Sequence, residues 1–206
     1  MKTISIVDYG LGNIHSIQNA IELLGYKSKL VSSSKELFQA THLILPGVGA
    51  YPHAMKLLKE NGLNKSILEF SKTGKPILGI CLGMQLLFEE SSEHGLTKGL
   101  NLLRGKVERF KPSEDYNIPQ IQWNKLIKKD DCSTMLGIND KEYFYFVNSY
   151  YVNIESLENK YNIYYSSYAN QNYLGLIEYE NIIGVQFHPE KSGKSGLILL
   201  NNFIRK

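Results

Sequence analysis

A cysteine flanked by two glycines is the residue of this chain best suited to chemistry. Cys81 lies in the pattern Gly79-x-Cys81-x-Gly83, the cysteine counterpart of a turn that presents a nucleophile between a strand and a helix. The apolar run after Pro76 predicts a buried strand, and apolar residues recur at helical spacing from Cys81 onward. We therefore expect the thiol at a strand-to-helix corner, where the helix N-terminus favours a thiolate. A free cysteine among apolar residues is also commonly an inert core residue, so Cys81 alone leaves both interpretations open.

A histidine near the end of the chain has the context of a general base. His188 follows an apolar strand pattern, and Pro189 favours an extended backbone at that point. Residues i and i+2 of an extended segment project to the same side, so Glu190 can reach the imidazole. A carboxylate on one ring nitrogen leaves the other free to deprotonate a thiol. His188 can also be a structural histidine, but a cysteine and a histidine that each end a core strand favour a nucleophile with its base.

Two further features can complete such a site. The loop from Pro46 to Ala50 follows an apolar strand pattern and contains two glycines, so we interpret it as an oxyanion-binding loop at the carboxyl edge of a sheet. Gln85 follows Cys81 by one helical turn, which places its amide on the same side of the helix. An ordinary flexible turn and a solvent-facing glutamine are the alternatives.

These residues need a sheet that brings the ends of several strands together. Strand patterns at 4–7, 29–31, 42–45 and 77–80 alternate with helical patterns at 13–24, 34–39, 51–61 and 63–73. The alternation predicts an α/β fold with an open, mostly parallel central sheet covered by helices. From residue 106 strand patterns follow one another with little helix between them, which predicts an antiparallel extension or packed subsheet before a last helix at 195–204.

Length and composition predict one domain over residues 1–206. A hydrophobic content of 43% supports one core, and no linker or break in composition divides the chain. The net charge of +3 is spread along the sequence, without the basic run that nucleic-acid binding usually requires. No segment has the length of a membrane span or the form of a secretion signal. We expect a cytoplasmic protein with no nucleic-acid or membrane partner.

The sequence predicts neither a metal site nor a cofactor. Cys81 and Cys132 lack metal-ligand spacing with the five histidines, and two cysteines do not indicate a disulfide framework. The pair Gly10-x-Gly12 suggests a dinucleotide motif, but His15 stands where the third glycine belongs, so we reject that interpretation.

Together these residues resemble the class I glutamine amidotransferases, and among them the glutaminase subunits of imidazole glycerol phosphate synthases. The matching segments, in family order along nearly the whole chain, are Val7-Asp8-Tyr9-Gly10-Leu11-Gly12-Asn13, Leu45-Pro46-Gly47-Val48-Gly49, Gly79-Ile80-Cys81-Leu82-Gly83-Met84-Gln85, Trp123-Asn124, Tyr145-Phe146-Val147-Asn148-Ser149-Tyr150-Tyr151 and Gln186-Phe187-His188-Pro189-Glu190-Lys191-Ser192. The resemblance implies a flavodoxin-like fold and hydrolysis of L-glutamine to glutamate and ammonia. It also implies that Cys81 attacks the substrate amide to form a thioester, His188 moves the proton, and Glu190 orients His188.

The same resemblance assigns supporting roles. Val48 and Leu82 would supply backbone amides to the oxyanion, and such preorganised donors each contribute about 10²–10³ in rate. The positions that hold glutamine in the family are Gly49, Gln85, Tyr145, Ser149 and Tyr150. Two alternatives stay open: a non-catalytic binding protein on the same fold, and a cysteine hydrolase that acts on peptides.

The resemblance further implies a partner chain, because the glutaminase part accounts for all 206 residues. In the family the partner is a (β/α)₈-barrel cyclase, which forms a heterodimer and uses the ammonia to make imidazole glycerol phosphate and AICAR in histidine biosynthesis. Residues expected at the partner interface or ammonia exit are Asn13, Gln120, Gln122, Trp123 and Asn148. Capping of the first helix is the simpler interpretation of Asn13.

This chain departs from the family near that expected interface. Family members usually carry Pro-His-Met-Gly-Trp-Asn at 119–124, where this chain has Pro119-Gln120-Ile121-Gln122-Trp123-Asn124, and usually a histidine at Asn148. Departures on the partner side with an intact triad leave a second destination for the ammonia open. That destination is a sugar amidotransferase of surface polysaccharide synthesis. Of the two destinations, we prefer the cyclase of histidine biosynthesis.

Overall fold

The computed structural model describes residues 2–112 and 115–206. Its strands are β1 (Thr3–Val7), β2 (Lys27–Val31), β3 (Leu43–Leu45), β4 (Ile77–Ile80), β5 (Glu90–Ser91), β6 (Thr97–Lys98), β7 (Lys106–Arg109), β8 (Gln120–Lys125), β9 (Ile127–Lys128), β10 (Tyr143–Asn148), β11 (Tyr150–Val152), β12 (Asn162–Tyr168), β13 (Gln171–Tyr179) and β14 (Ile182–Val185). Its α-helices are α1 (Ile14–Leu23), α2 (Ser34–Phe38), α3 (Tyr51–Glu60), α4 (Leu63–Ser71), α5 (Leu82–Leu86) and α6 (Gly193–Arg205). No helix within these described ranges is long and apolar enough to cross a membrane.

An eight-stranded sheet forms the frame, in the order β2-β1-β3-β4-β14-β13-β12-β9. The first five strands run parallel, and β13, β12 and β9 continue the sheet in antiparallel fashion. The parallel part has the order of a doubly wound, flavodoxin-like sheet. The predicted parallel sheet with its antiparallel extension is therefore confirmed.

Two smaller sheets lie beside the frame. Strands β8 and β10 form an antiparallel ribbon, and β11, β7, β5 and β6 form a four-stranded sheet. The C-terminal half thus contains both an extension of the main sheet and packed subsheets. The two-residue strands β5, β6 and β9 and the three-residue strand β11 were not predicted, because segments so short carry no clear alternation of apolar residues.

The central sheet is covered on both faces, as its continuous apolar strands require. Helices α2, α3 and α4 bury Leu37, Met55 and Phe70 in one core. Helices α1 and α6 bury Ile17 and Phe203 in the other. The carboxyl ends of β3, β4 and β14 lie side by side, so the segments that follow these strands meet at one edge of the sheet.

Candidate active site

Cys81 lies on a strained turn between β4 and α5. Its backbone has φ 55° and ψ −112°, a left-handed conformation that a residue with a side chain rarely adopts and that costs about 1–3 kcal/mol. The two flanking glycines are required by space: a Cβ on Gly83 would stand 1.9 Å from the carbonyl oxygen of Leu45, and one on Gly79 would stand 2.8 Å from the Gly83 oxygen. The predicted strand-to-helix turn at Cys81 is present, and the start of its helix packs directly against β3.

The Cys81 thiol opens into a cavity of about 230 Å³. Only 7% of Cys81 is exposed, so the turn presents the thiol to this cavity rather than to bulk solvent. Nine residues assigned to the site from sequence line the cavity: Val48, Gly49, Cys81, Leu82, Gln85, Asn148, Ser149, Tyr150 and His188. A neighbouring groove of about 690 Å³ is larger, but it is lined by Pro119, Ile121 and Gln122 and contains neither Cys81 nor His188.

His188 and Glu190 form a buried pair beside the thiol. Nδ1 of His188 lies 2.8 Å from Oε1 of Glu190, and the two side chains are 8% and 0% exposed. Because a carboxylate oxygen only accepts, Nδ1 carries the proton and Nε2 remains for the thiol. Burial opposes the charged imidazolium, but the Cys81 sulfur and the Glu190 carboxylate outweigh it and raise the pKa of His188 to about 10.

The sulfur of Cys81 has two further contacts. Its Sγ lies 3.7 Å from the carbonyl oxygen of Val147, to which a thiol donates. The amide Nε2 of Gln186, also at 3.7 Å, donates to the sulfur. Sequence reasoning gave Gln186 no role of its own. The signal was available, because Gln186 precedes His188 by two residues in an extended segment and therefore projects to the same side.

Gln85 is held in place by two acceptors. Its Nε2 donates to the carbonyl oxygen of Tyr150 and to Oε1 of Gln186, both at 2.9 Å. Both amide hydrogens are therefore used within the protein. The carbonyl oxygen of Gln85 is the part of the side chain left to accept a hydrogen bond from a ligand in the cavity.

Glu93 is a cavity residue that sequence reasoning missed. It lies in the loop after β5 and belongs to the cavity lining. Its Oε2 accepts a 2.7 Å hydrogen bond from the backbone N–H of Tyr51, at the start of α3. A carboxylate held in the lining of this cavity suits a ligand ammonium group. No local pattern marks Glu93, since only the tertiary fold brings its loop to Cys81.

The loop after β3 is packed against the start of α5. The Tyr9 hydroxyl donates to the carbonyl oxygen of Pro46 at 2.9 Å, and a Cβ on Gly47 would stand 2.8 Å from the Gly83 nitrogen. Val48 follows directly and is 40% exposed, with Leu82 across from it in the cavity lining. The loop therefore lies where an oxyanion-binding loop must be, and the roles of the Val48 and Leu82 amides remain predictions.

The predicted substrate residues in the segment from β10 to β11 divide into two groups. Ser149 and Tyr150 line the cavity, whereas the Tyr145 side chain lies outside it and contacts Trp123, with ring centroids 5.9 Å apart. The backbone of Tyr145 serves the site instead, because its carbonyl oxygen accepts from the His188 N–H at 2.9 Å.

The residues expected at a partner interface also separate. Gln120 is fully buried and lies directly opposite Asn148 across the β8–β10 ribbon, so it faces inward. Trp123 is 51% exposed on the outer face of that ribbon. Asn13 precedes α1 but makes no side-chain capping bond, so the capping interpretation is not supported. No cluster of His, Cys, Asp and Glu side chains in the described part of the chain is arranged to hold a metal ion.

The sequence is similar to known proteins over nearly its whole length. The family described as glutamine amidotransferase class-I matches residues 5–206. A relative from Listeria monocytogenes serotype 4a (strain HCC23), named imidazole glycerol phosphate synthase subunit HisH, is 46% identical and covers 97% of this chain and 94% of its own length. A relative of the same name from Methanosarcina mazei is 44% identical, with 99% and 98% covered.

Solved structures are similar in fold. PurLQS from Thermotoga maritima gives a TM-score of 0.74 at 16% identity, over 99% of this chain and 98% of that one. A glutamine amidotransferase, also from Thermotoga maritima, gives a TM-score of 0.64 at 19% identity, over 99% and 81%. At these identities the similarity establishes the fold alone.

Proposed function

Because this chain belongs to the class-I glutamine amidotransferase family, we propose that it is the glutaminase subunit of an imidazole glycerol phosphate synthase in histidine biosynthesis. Relatives of 44–46% identity over nearly its full length carry that subunit name. The observation that carries the chemistry is Cys81 on a strained turn, in one cavity with a His188 that is hydrogen-bonded to Glu190. We take residues 1–206 as one amidotransferase domain.

Acylation uses the Cys81 sulfur and one proton of His188. The thiol proton passes to Nε2 of His188, and the sulfur attacks the side-chain carbonyl carbon of glutamine. The imidazolium then gives its proton to the departing nitrogen, the C–N bond breaks, and ammonia leaves a glutamyl thioester on Cys81. Once the proton has moved, the Cys81 sulfur and Glu190 raise the pKa of His188, so the proton stays on the imidazole until the leaving nitrogen takes it.

Deacylation reuses the same base. Neutral His188 takes a proton from water, whose oxygen attacks the thioester carbonyl carbon. The C–S bond breaks, the proton returns to the sulfur, and glutamate leaves. Glu190 holds Nδ1–H throughout, so Nε2 faces the reacting atoms in both halves of the reaction.

The cavity supplies the groups that a glutamine substrate needs. The Glu93 carboxylate pairs with the α-ammonium group, and the carbonyl oxygen of Gln85 accepts from the substrate. Amides of Val48 and Leu82 stabilise the oxyanion that forms in each half-reaction. The remaining contacts are assigned to Gly49, Ser149 and Tyr150.

A partner that consumes ammonia docks on the outer face of the β8–β10 ribbon. This face exposes three large apolar side chains, Ile121 at 60%, Trp123 at 51% and Tyr143 at 48%. Exposed aromatic residues of this kind are enriched at protein interfaces. We assign the face to a (β/α)₈-barrel cyclase that forms a heterodimer with this chain, with Gln120 and Asn148 between the catalytic cavity and the docked partner.

Glutamate release, measured with and without the cyclase of the same organism, tests the proposal. We expect release that rises when the cyclase is added, that is lost in Cys81→Ala, and that persists in Cys132→Ala, since Cys132 lies outside the cavity. Full release by Cys81→Ala would contradict the chemistry. Stimulation by a sugar amidotransferase but not by the cyclase would contradict the assignment to histidine biosynthesis.

A further inference from the structure

The sheet register places Gln186 beside the nucleophile. Strand β14 runs parallel to β4 with Val185 opposite Ile80, and the Cys81 N–H donates to the Val185 carbonyl oxygen at 2.7 Å. Gln186 is therefore level with Cys81 on the neighbouring strand. Since side chains alternate along an extended segment, Gln186 and His188 point to the site while Phe187 between them enters the core.

The hydrogen bonds around Gln186 determine which end of its amide faces the sulfur. Gln85 donates through Nε2 to the Tyr150 carbonyl oxygen, which can only accept, so the nitrogen position of Gln85 is fixed. The atom of Gln186 that lies 2.9 Å from this nitrogen must then be its oxygen. The Nε2 of Gln186 consequently faces the Cys81 sulfur, at 3.7 Å. Gln186 is fully buried, so water does not compete for this donor.

We propose that Gln186 is a further catalytic residue, whose amide N–H stabilises the negative charge on the Cys81 sulfur. The inference rests on the proposed function only in taking Cys81 as the nucleophile. The sulfur carries this charge when its proton has moved to His188, and again when the thioester C–S bond breaks. A hydrogen bond to a charged acceptor is stronger than one to a neutral thiol, so the donor favours these charged states over the neutral thiol.

Gln186 acts beside several titratable groups. His188 faces the sulfur directly, with Glu190 behind it. Tyr9, whose hydroxyl donates to the Pro46 carbonyl oxygen, interacts electrostatically with Cys81, and Glu93 lies in the lining of the same cavity. All of them are retained when Gln186 alone is replaced, so a change in ionisation can be assigned to the lost amide.

The test is the pH profile of Cys81 alkylation by iodoacetamide, followed by mass spectrometry of the Cys81 peptide. In Gln186→Leu we expect the midpoint of the profile to move up by about one pH unit, because a hydrogen bond to a charged acceptor shifts an ionisation about tenfold. The plateau rate at high pH should rise about threefold, since a less stabilised thiolate is a stronger nucleophile. Gln186→Glu keeps an acceptor for Gln85 but places a carboxylate against the sulfur. In this variant the midpoint should move to a still higher pH.

Gln171→Leu is the matched control. Gln171 makes hydrogen bonds to Lys111, Tyr151 and Ala169 outside the cavity, so its loss lowers stability without touching the sulfur. Its midpoint should equal that of the wild type. Unchanged midpoints in the folded Gln186 variants, or an equal shift in Gln171→Leu, would overturn the inference. Alkylation needs no glutamine and no partner, so this result is independent of whether the glutaminase proposal holds.

Discussion

Replacing Glu190 by glutamine removes one negative charge from the interior and leaves the side-chain shape nearly unchanged. Oε1 of Glu190 lies 2.8 Å from Nδ1 of His188, and the carboxylate is 0% exposed. Its other oxygen, Oε2, has no hydrogen-bond partner among residues 2–112 and 115–206. The charge is therefore directed at His188 rather than shared with other donors.

The expected decrease in kcat follows from the hydrogen bond between Glu190 and His188. A hydrogen bond to a buried charged group contributes about 1.5–3 kcal/mol, so Glu190→Gln should lower kcat by about 10–150-fold. The amide oxygen can still accept from Nδ1–H, which keeps the ring oriented. Glu190→Ala loses this orientation as well and should lower kcat by about 10³–10⁴-fold.

The pH dependence gives a second readout. The Cys81 sulfur and Glu190 raise the pKa of His188 to about 10 against the cost of burial, so the alkaline limb of activity lies high in the wild type. Loss of the Glu190 charge lowers this pKa and moves the limb to lower pH. Because the folded-state pKa is raised, the stabilisation from His188 is complete below about pH 6.5 and is lost as the pH rises towards 10. The loss of folding stability at alkaline pH should be smaller in Glu190→Gln.

The assay is partner-stimulated glutamate release across pH, with unfolding in urea measured in parallel. Wild-type protein and Glu190→Ala give the highest and lowest expected kcat, between which Glu190→Gln should fall. A folded Glu190→Gln protein with wild-type kcat and an unmoved alkaline limb would refute the orienting and charge-stabilising role of Glu190.

Three further substitutions probe the turn at Gly83, the buried His42 and the exposed face of the β8–β10 ribbon. Gly83→Ala should destabilise the fold by about 3 kcal/mol in urea unfolding, because its Cβ would stand 1.9 Å from the Leu45 carbonyl oxygen. Burial and Lys2 lower the pKa of His42 to about 4, so the contribution of His42 to stability is complete above pH 6.5 and is lost as the pH falls towards 4. In His42→Leu, the loss of folding stability at acid pH should therefore be smaller by about 3 kcal/mol. Trp123→Glu, on the exposed ribbon face, should weaken partner-stimulated activity about 30-fold with unchanged partner-free melting.

The predicted site residues that the structure brings together are those whose signal is local. Cys81 stands between glycines that its turn requires, and Glu190 follows His188 by two residues. The expected contact between His188 and Glu190 is present, but a 3-10 turn over Pro189–Lys191 makes it, and the expected extended segment is absent there. The parallel sheet was predictable for the same reason, since each strand and helix carries its own apolar pattern. Its order then places the ends of β3, β4 and β14 together.

The parts that were missed depend on tertiary contacts. Glu93 reaches the cavity because its loop docks on the start of α3, a contact between residues 42 positions apart. The sequence could show that Gln186 projects to the same side as His188, but its contact with Cys81 depends on the register of β14 with β4. Gln120 was expected at the partner interface or the ammonia exit, and its complete burial on the inward face of the β8–β10 ribbon leaves the exit as its predicted place. Sequence patterns do not specify which face of such a ribbon packs on the core.

The most direct test of the central claim is to trap the acyl-enzyme. Wild-type protein with its cyclase partner is mixed with glutamine, quenched in acid within the first turnover, and analysed by mass spectrometry of the Cys81 peptide. We expect a glutamyl thioester on Cys81 that is absent from Cys81→Ala and from samples without glutamine. Glutamate formed at the full rate with no acyl group on Cys81 at any time would contradict it.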